Sequence, residues 1–154
     1  MGKDKKATPE IIDNLRRVFQ AINEYSKTAE RSTGLTGPQL WALKILDNTS
    51  PIRVSDLAQL MYLRPATVVG ILDRLEMKGL VSRTRSTEDR RAVDLTLTET
   101  GKLLAAKSPE VAQVMLMNGL DKLTDEQYST VEEGMKLMVR LLGAEHMTPQ
   151  PLHG

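Results

Sequence analysis

Four arginines fall between positions 83 and 91: Arg83, Arg85, Arg90 and Arg91. Asp89 stands two residues before Arg91. A guanidinium is a planar fork of donors that suits phosphate oxygens, and its charge suits a narrow A·T minor groove. Upstream runs Arg64-Pro65-Ala66-Thr67-Val68-Val69-Gly70, followed by Arg74. Arg64, Thr67 and Arg74 can donate to bases or phosphates, Ala66 and Val69 can touch thymine methyls, and Gly70 allows close backbone approach. Ser55, Pro65, Arg85 and Thr87 complete the candidate DNA-binding set. This is binding chemistry. No nucleophile–base pair, phosphate-binding glycine loop or carboxylate–histidine cluster marks an enzyme.

A charge cluster is ordinarily a solvated face, so the elements that carry it decide its meaning. Pro65 opens a helix that Gly79 stops. Val68, Ile71, Leu72 and Leu75 follow helical spacing and should face a core. Arg64, Ala66, Thr67, Val69, Gly70, Asp73 and Arg74 lie opposite. A shorter helix over Val54 to Met61 precedes it, with Leu57, Ala58 and Leu60 inward. Leu80 to Arg85 and Ala92 to Leu97 then read as two strands around a Ser86–Arg91 loop. Val93, Leu95 and Leu97 alternate with Asp94 and Thr96, and Ile52-Arg53 can add a short strand. A helix pair followed by a basic hairpin is the layout of a winged helix-turn-helix.

The rest of the chain reads as helix. Thr8-Pro9-Glu10 can start one, with Thr8 as cap, and Ile11, Leu15, Val18, Phe19, Ile22 and Tyr25 keep helical spacing. Ser32-Thr33-Gly34 ends it. Thr36 and Gln39 stand in capping-box register, as do Thr124 and Gln127. A further helix begins at Thr98-Glu99, and Pro109 should kink or break it near Ser108. The last helix carries Val131, Met135, Met138, Leu141 and Leu142, and Gly143 closes it. The expected class is mainly α with a small antiparallel β-wing. One domain spans 9–143: a winged helix-turn-helix over 36–98, and dimerisation helices over 9–34 and 99–143. Residues 1–8 read as a flexible arm and 144–154 as a flexible tail.

Composition sets limits. At 154 residues the chain can bury a core, and its formal net charge is only +1. Residues 64–91 nevertheless carry seven basic and four acidic side chains, a local +3. There is no cysteine, hence no disulfide scaffold, thiolate zinc site or thiol switch. His146 and His153 are too few for a metal site, and no cofactor is expected. No apolar run approaches the ~18 residues of a membrane span, so a soluble cytoplasmic protein without a membrane partner is expected.

Leu57-Ala58, Thr67-Val68 to Leu75, Lys78-Gly79-Leu80-Val81-x-Arg83, Asp89-x-Arg91 and Leu97-Thr98-x-x-Gly101 resemble the MarR family of bacterial transcription regulators. The similarity covers about residues 9–143. It implies a homodimer, with a winged helix-turn-helix in each subunit, that binds double-stranded DNA at a pseudo-palindromic operator, usually as a repressor. It also implies release by a small aromatic or anionic effector. At the wing tip, it assigns Arg91 to a minor groove and Asp89 to holding that arginine; on charge and position, Arg90 beside them is then expected to contact phosphate. Val69 and Gly70 depart from the polar or basic residues of many relatives, so shape, apolar contact and the wing should carry specificity.

Several residues admit two readings. Arg74 either contacts phosphate or joins Asp73 in ion pairs that brace the wing. Trp41 either packs in the core or stacks on a ligand in the crevice between the two regions. Tyr25 and Arg31 could add a hydrogen bond and a counter-charge for a carboxylate there. Met115, Met117, Met135 and Met138 line a pocket or a dimer core. Ile11, Leu15, Val18, Met135, Met138 and Leu142 are the expected dimer interface. The rival function is an architectural or protein-binding winged helix without sequence-specific readout.

Overall fold

The computed structural model describes residues 5–152. Met1 to Asp4 of the expected arm, and His153 and Gly154 of the expected tail, lie outside them. The described residues form seven helices and one three-stranded sheet. The helices are α1 (Thr8–Thr33), α2 (Gly37–Thr49), α3 (Val54–Leu60), α4 (Pro65–Met77), α5 (Glu99–Lys107), α6 (Ala112–Asp121) and α7 (Asp125–Leu141). The strands are β1 (Ile52–Arg53), β2 (Val81–Arg85) and β3 (Val93–Leu97), in antiparallel order β1-β3-β2. Among the described residues, no helix is long and apolar enough to cross a membrane. The chain is mainly α with a small antiparallel sheet, as its sequence indicates.

Local chemistry fixes the helix ends. Thr36 Oγ1 accepts from the Gln39 N–H (3.3 Å), and Gln39 Oε1 accepts from the Thr36 N–H (3.2 Å). The same reciprocal box opens α7, between Thr124 and Gln127. At α1 the expected cap is corrected. Ala7 occupies the N-cap without a side-chain bond, and Thr8 lies within the helix. Pro9 still sits in the first turn, where its missing N–H costs nothing. Pro109 produces a break rather than a kink. Ser108 is extended (ψ 149°), so the expected single helix becomes α5 and α6.

The core lies between α2, α3, α4 and the sheet. Leu35, Leu40, Leu43, Leu46, Leu57, Val68, Leu72, Leu75 and Leu95 are fully buried. Two inward assignments fail for geometric reasons. Leu60 is 44% exposed, and Met61 takes its place in the core. The seven-residue α3 ends there, and Tyr62, in the left-handed region (φ 55°), reverses the chain. Val93 is also exposed, because it pairs with Arg85 at the outer end of the ribbon.

One glycine explains the Leu97-Thr98-x-x-Gly101 pattern. Thr98 caps α5 by accepting from the Gly101 N–H (3.0 Å), while its hydroxyl donates to the Gly79 carbonyl (2.7 Å). This brings α5 against the start of β2. A Cβ on Gly101 would stand 2.2 Å from the Leu80 carbonyl oxygen. The helix is therefore locked beneath the wing by a contact only glycine allows.

The helices outside the winged region are far less buried. Only Ala29 is buried in α1, and no residue is buried in α6 or α7. On α7, Lys136 pairs with Glu132 and Glu133, and the hydrogen bond to Glu132 leads in holding its ammonium above the usual lysine range. The C-terminal segment is not wholly loose. It returns to the junction of α1 and α2, where the Leu152 carbonyl lies near Gly37.

Candidate nucleic-acid interface

α4 separates into two stripes. Val68, Ile71, Leu72 and Leu75 are buried, while Arg64, Pro65, Ala66, Val69, Gly70, Asp73 and Arg74 are exposed and Thr67 is half-buried. Nothing lies within 4 Å of a Cβ built on Gly70. This glycine, unlike Gly101, has no packing reason to be small. α4 is held from its far end, where Lys78 Nζ donates to the Gly34 carbonyl (2.6 Å) and the Leu80 N–H to the Leu75 carbonyl (3.0 Å). Ser55, in the first turn of α3, is exposed.

The four arginines of the hairpin do not act alike. Arg83 is drawn back onto α4: Nη2 contacts Asp73 Oδ1 at 2.5 Å and Nε lies 2.9 Å from Glu76 Oε2. This corrects two expectations. Arg83 is not free for DNA, and it, rather than Arg74, braces the wing. Arg74 makes no ion pair among the described residues. Arg85, Arg90 and Arg91 are exposed and also unpaired. Two α4 carboxylates thus hold the wing's inner end, and its outer arginines remain available.

The wing tip is a closed turn. The Asp89 carboxylate accepts from the backbone N–H of Arg91 (3.0 Å), not from its guanidinium. The expected Asp89–Arg91 partnership is therefore a backbone one: Asp89 fixes the turn, and the arginine side chain projects without a tether. The sequence reading missed Ser86. Its side chain is buried at the base of the tip, where Oγ accepts from the N–H groups of Glu88 (3.2 Å) and Asp89 (3.3 Å). The Ser86 N–H closes onto the Ala92 carbonyl (2.9 Å). A serine three residues before an aspartate in a polar loop was the available signal. Thr87, Arg90 and Arg91 point outward from this frame as exposed residues.

The expected interface residues lie uncovered. Ile11, Val18, Met135 and Leu142 are 52%, 53%, 57% and 73% exposed, and Leu15 and Met138 are half-buried. Phe19, Leu116, Val131, Leu137 and Leu141 add to the exposed apolar surface.

Tyr25, Arg31 and Trp41 do not share one site. Trp41 is 5% exposed and walls a cavity of about 470 Å³ between α2, the end of α5 and α6. Its lining includes Lys44, Ile45, Asn48, Glu110, Val114 and Met117. Tyr25 instead lines a separate apolar cavity of about 200 Å³ with Val18, Ile22, Met115 and Leu116. Arg31 is exposed and lines neither cavity. Tyr25 faces α6 from α1, whereas Trp41 faces it from α2. The polar lining was readable in part, because Trp41, Lys44, Ile45 and Asn48 keep i, i+3, i+4, i+7 spacing. Glu110 was not readable, since it reaches the cavity only because Pro109 breaks the chain there. Among the described residues, no cluster of three acidic or histidine side chains could hold a metal.

Residues 35–93 match the sequence model of the MarR family. YfiV of Bacillus subtilis, an uncharacterized HTH-type transcriptional regulator, is 37% identical over 105 residues, or 68% of this chain. The chain spans 66% of that relative's length. The HTH-type transcriptional repressor MdtR of Bacillus subtilis is 32% identical over 114 residues, covering 74% of each chain. These relatives are regulators of transcription rather than enzymes. A MepR-like protein solved with pseudoligands superposes with a TM-score of 0.60 at 26% identity, covering 90% of this chain and 98% of that one. Streptococcus pneumoniae FabT in complex with DNA superposes with a TM-score of 0.58 at 21% identity, covering 88% of this chain and 96% of that one, a likeness of fold.

Proposed function

The chain belongs to the MarR family of DNA-binding transcriptional regulators, and from that membership we propose that it is a homodimeric repressor of a pseudo-palindromic operator, released by a small ligand. The carrying observation is the two-striped α4, whose outer stripe is exposed beside a wing with three unpaired arginines. In this reading Arg64, Pro65, Ala66, Thr67, Val69 and Gly70 enter a major groove. Ser55 and Arg74 meet phosphates, and Arg85, Thr87, Arg90 and Arg91 follow the backbone into the adjacent minor groove, with Asp89 shaping the tip. MdtR is named a repressor and FabT was solved on DNA, which supports both halves of the reading.

The domain plan supplies the dimer. Residues 36–98 form the winged unit, and the helices of 9–34 and 99–143 supply the interface. Ile11, Leu15, Val18, Met135, Met138 and Leu142 bury their apolar surface against a second copy. A two-fold protein axis matches a two-fold operator, with recognition helices about 34 Å apart. The Trp41 cavity lies between the two regions, so an occupant there can favour one separation of those helices over another. Its effect is limited by its differential affinity for the two states.

The test is selection from a random duplex library, followed by titration of the enriched sequence at two salt concentrations. The expected result is a palindrome with half-sites about ten base pairs apart, bound far more tightly than scrambled duplex. The absence of bidentate groups at Ala66, Val69 and Gly70 favours one rival, an architectural winged helix. No enrichment, with binding only at low salt, would establish that rival instead.

A further inference from the structure

The wall of the Trp41 cavity says more about its occupant than the family does. Trp41 is almost wholly buried, yet its indole N–H has no hydrogen-bond partner among the described residues. That donor is not itself buried: the indole nitrogen opens to solvent and needs no protein partner. The indole belongs to a concave space of about 470 Å³, whose apolar surface includes Ile45 and Val114. That volume is within the range of small-molecule sites. Three charged side chains line it: Lys44, Asp47 and Glu110. None of them is ion-paired among the described residues. The formal balance is one negative charge, and Arg31, the expected counter-ion for a carboxylate, is not part of the lining.

We propose that this cavity takes a cationic ligand with an aromatic or bulky apolar body, rather than an anion. The proposal rests on the effector reading above and names the ligand class of that site. The two carboxylates contribute negative charge at the rim, opposite in sign to such a ligand. The apolar body displaces water from Ile45 and Val114, and the free indole N–H remains for an acceptor on the ligand. An anion would face two carboxylates across a single ammonium. The site joins α2 of the winged region to α6 of the outer helices, so the charge that selects the ligand sits where occupancy changes their separation.

Trp41 is the only tryptophan in the chain, so its emission reports on this cavity alone. The experiment titrates the full-length protein with tetraphenylphosphonium and with tetraphenylborate, which match in shape and differ in sign. Both are also titrated into the operator complex, with release followed by anisotropy. The phosphonium is expected to change Trp41 emission saturably and release DNA, with the borate at least about tenfold weaker. The double substitution Asp47→Asn/Glu110→Gln is expected to weaken the phosphonium by about three- to tenfold, the scale of two partly exposed charge pairs. Lys44→Met is expected to tighten it, a gain that misfolding cannot imitate. Equal or tighter binding of the borate, or indifference of the phosphonium to all three charges, would overturn the cation assignment. Borate binding with DNA release would leave the effector site standing while removing its charge preference. Silence of Trp41 toward both ions would remove the effector reading at this cavity together with the inference.

Discussion

The winged region and the outer helices are built to different standards. Between Leu35 and Leu97 most leucines are buried, a capping box opens α2, cross-strand pairs join the strands, and Arg83 ties the wing to α4. In α1, α6 and α7 together, a single alanine is buried, while Ile11, Val18, Phe19, Met135 and Leu142 face solvent. Both regions have amphipathic patterning, yet only one finds its partner surface within its own chain. An apolar helical stripe thus specifies that something must cover it, without specifying which chain supplies the cover. Under the proposed dimer, the unit that reads DNA is the rigid frame, and the outer helices supply a surface shared between copies.

The largest effect should come from charging the proposed dimer surface. Met138→Lys is expected to raise the dimer dissociation constant by at least about a hundredfold, on the order of 3 kcal/mol, by placing an unpaired ammonium in an apolar contact. Sedimentation velocity checks this, and circular dichroism should show the winged region still folded. An unchanged dimer would remove α7 from the interface.

Gly101→Ala attacks the other side of the contrast. Its Cβ would meet backbone at 2.2 Å, so α5 or β2 must shift. A loss of about 2–3 kcal/mol in a denaturant titration is expected. A loss below about 0.5 kcal/mol would show that the junction between the regions is soft.

The two kinds of wing arginine give the next contrast. Arg91→Ala should leave stability unchanged, weaken operator binding and reduce the slope of log affinity against log salt by about one. Arg83→Ala should lower stability by up to about 1 kcal/mol, because its pairs with Asp73 and Glu76 are partly exposed. Opposite behaviour would exchange their roles.

Gly70→Ala should have the smallest effect, and its sign is informative. With open space around the new methyl, a helix-interior alanine should stabilise the fold by about 0.5–1 kcal/mol. The same change should weaken operator binding if α4 approaches DNA closely at this point. A variant that is more stable and binds as well would leave Gly70 without a role in recognition.

Much of this was legible in the residues. Capping boxes at Thr36 and Thr124, the four-residue buried stripe of α4 and the break at Pro109 follow from local rules that tertiary packing did not override. What was not legible depended on long-range geometry. Arg83 and Arg85 look equivalent in sequence, and only the position of α4 beneath the ribbon separates a brace from an exposed arginine. Leu60 and Met61 exchanged places because a seven-residue helix ends before its periodicity can be read. Tyr25 and Trp41 fell into different cavities because α1 and α2 present different faces to α6.

The most direct test of the contrast between the regions is sedimentation equilibrium of the full-length protein without DNA, at concentrations from nanomolar to micromolar. Two chains per particle throughout the micromolar range is the expected result, with Met138→Lys shifting the same chain to one. A folded wild-type monomer across the whole range, binding single half-sites, would contradict the dimer and leave the exposed faces of α1 and α7 without a partner.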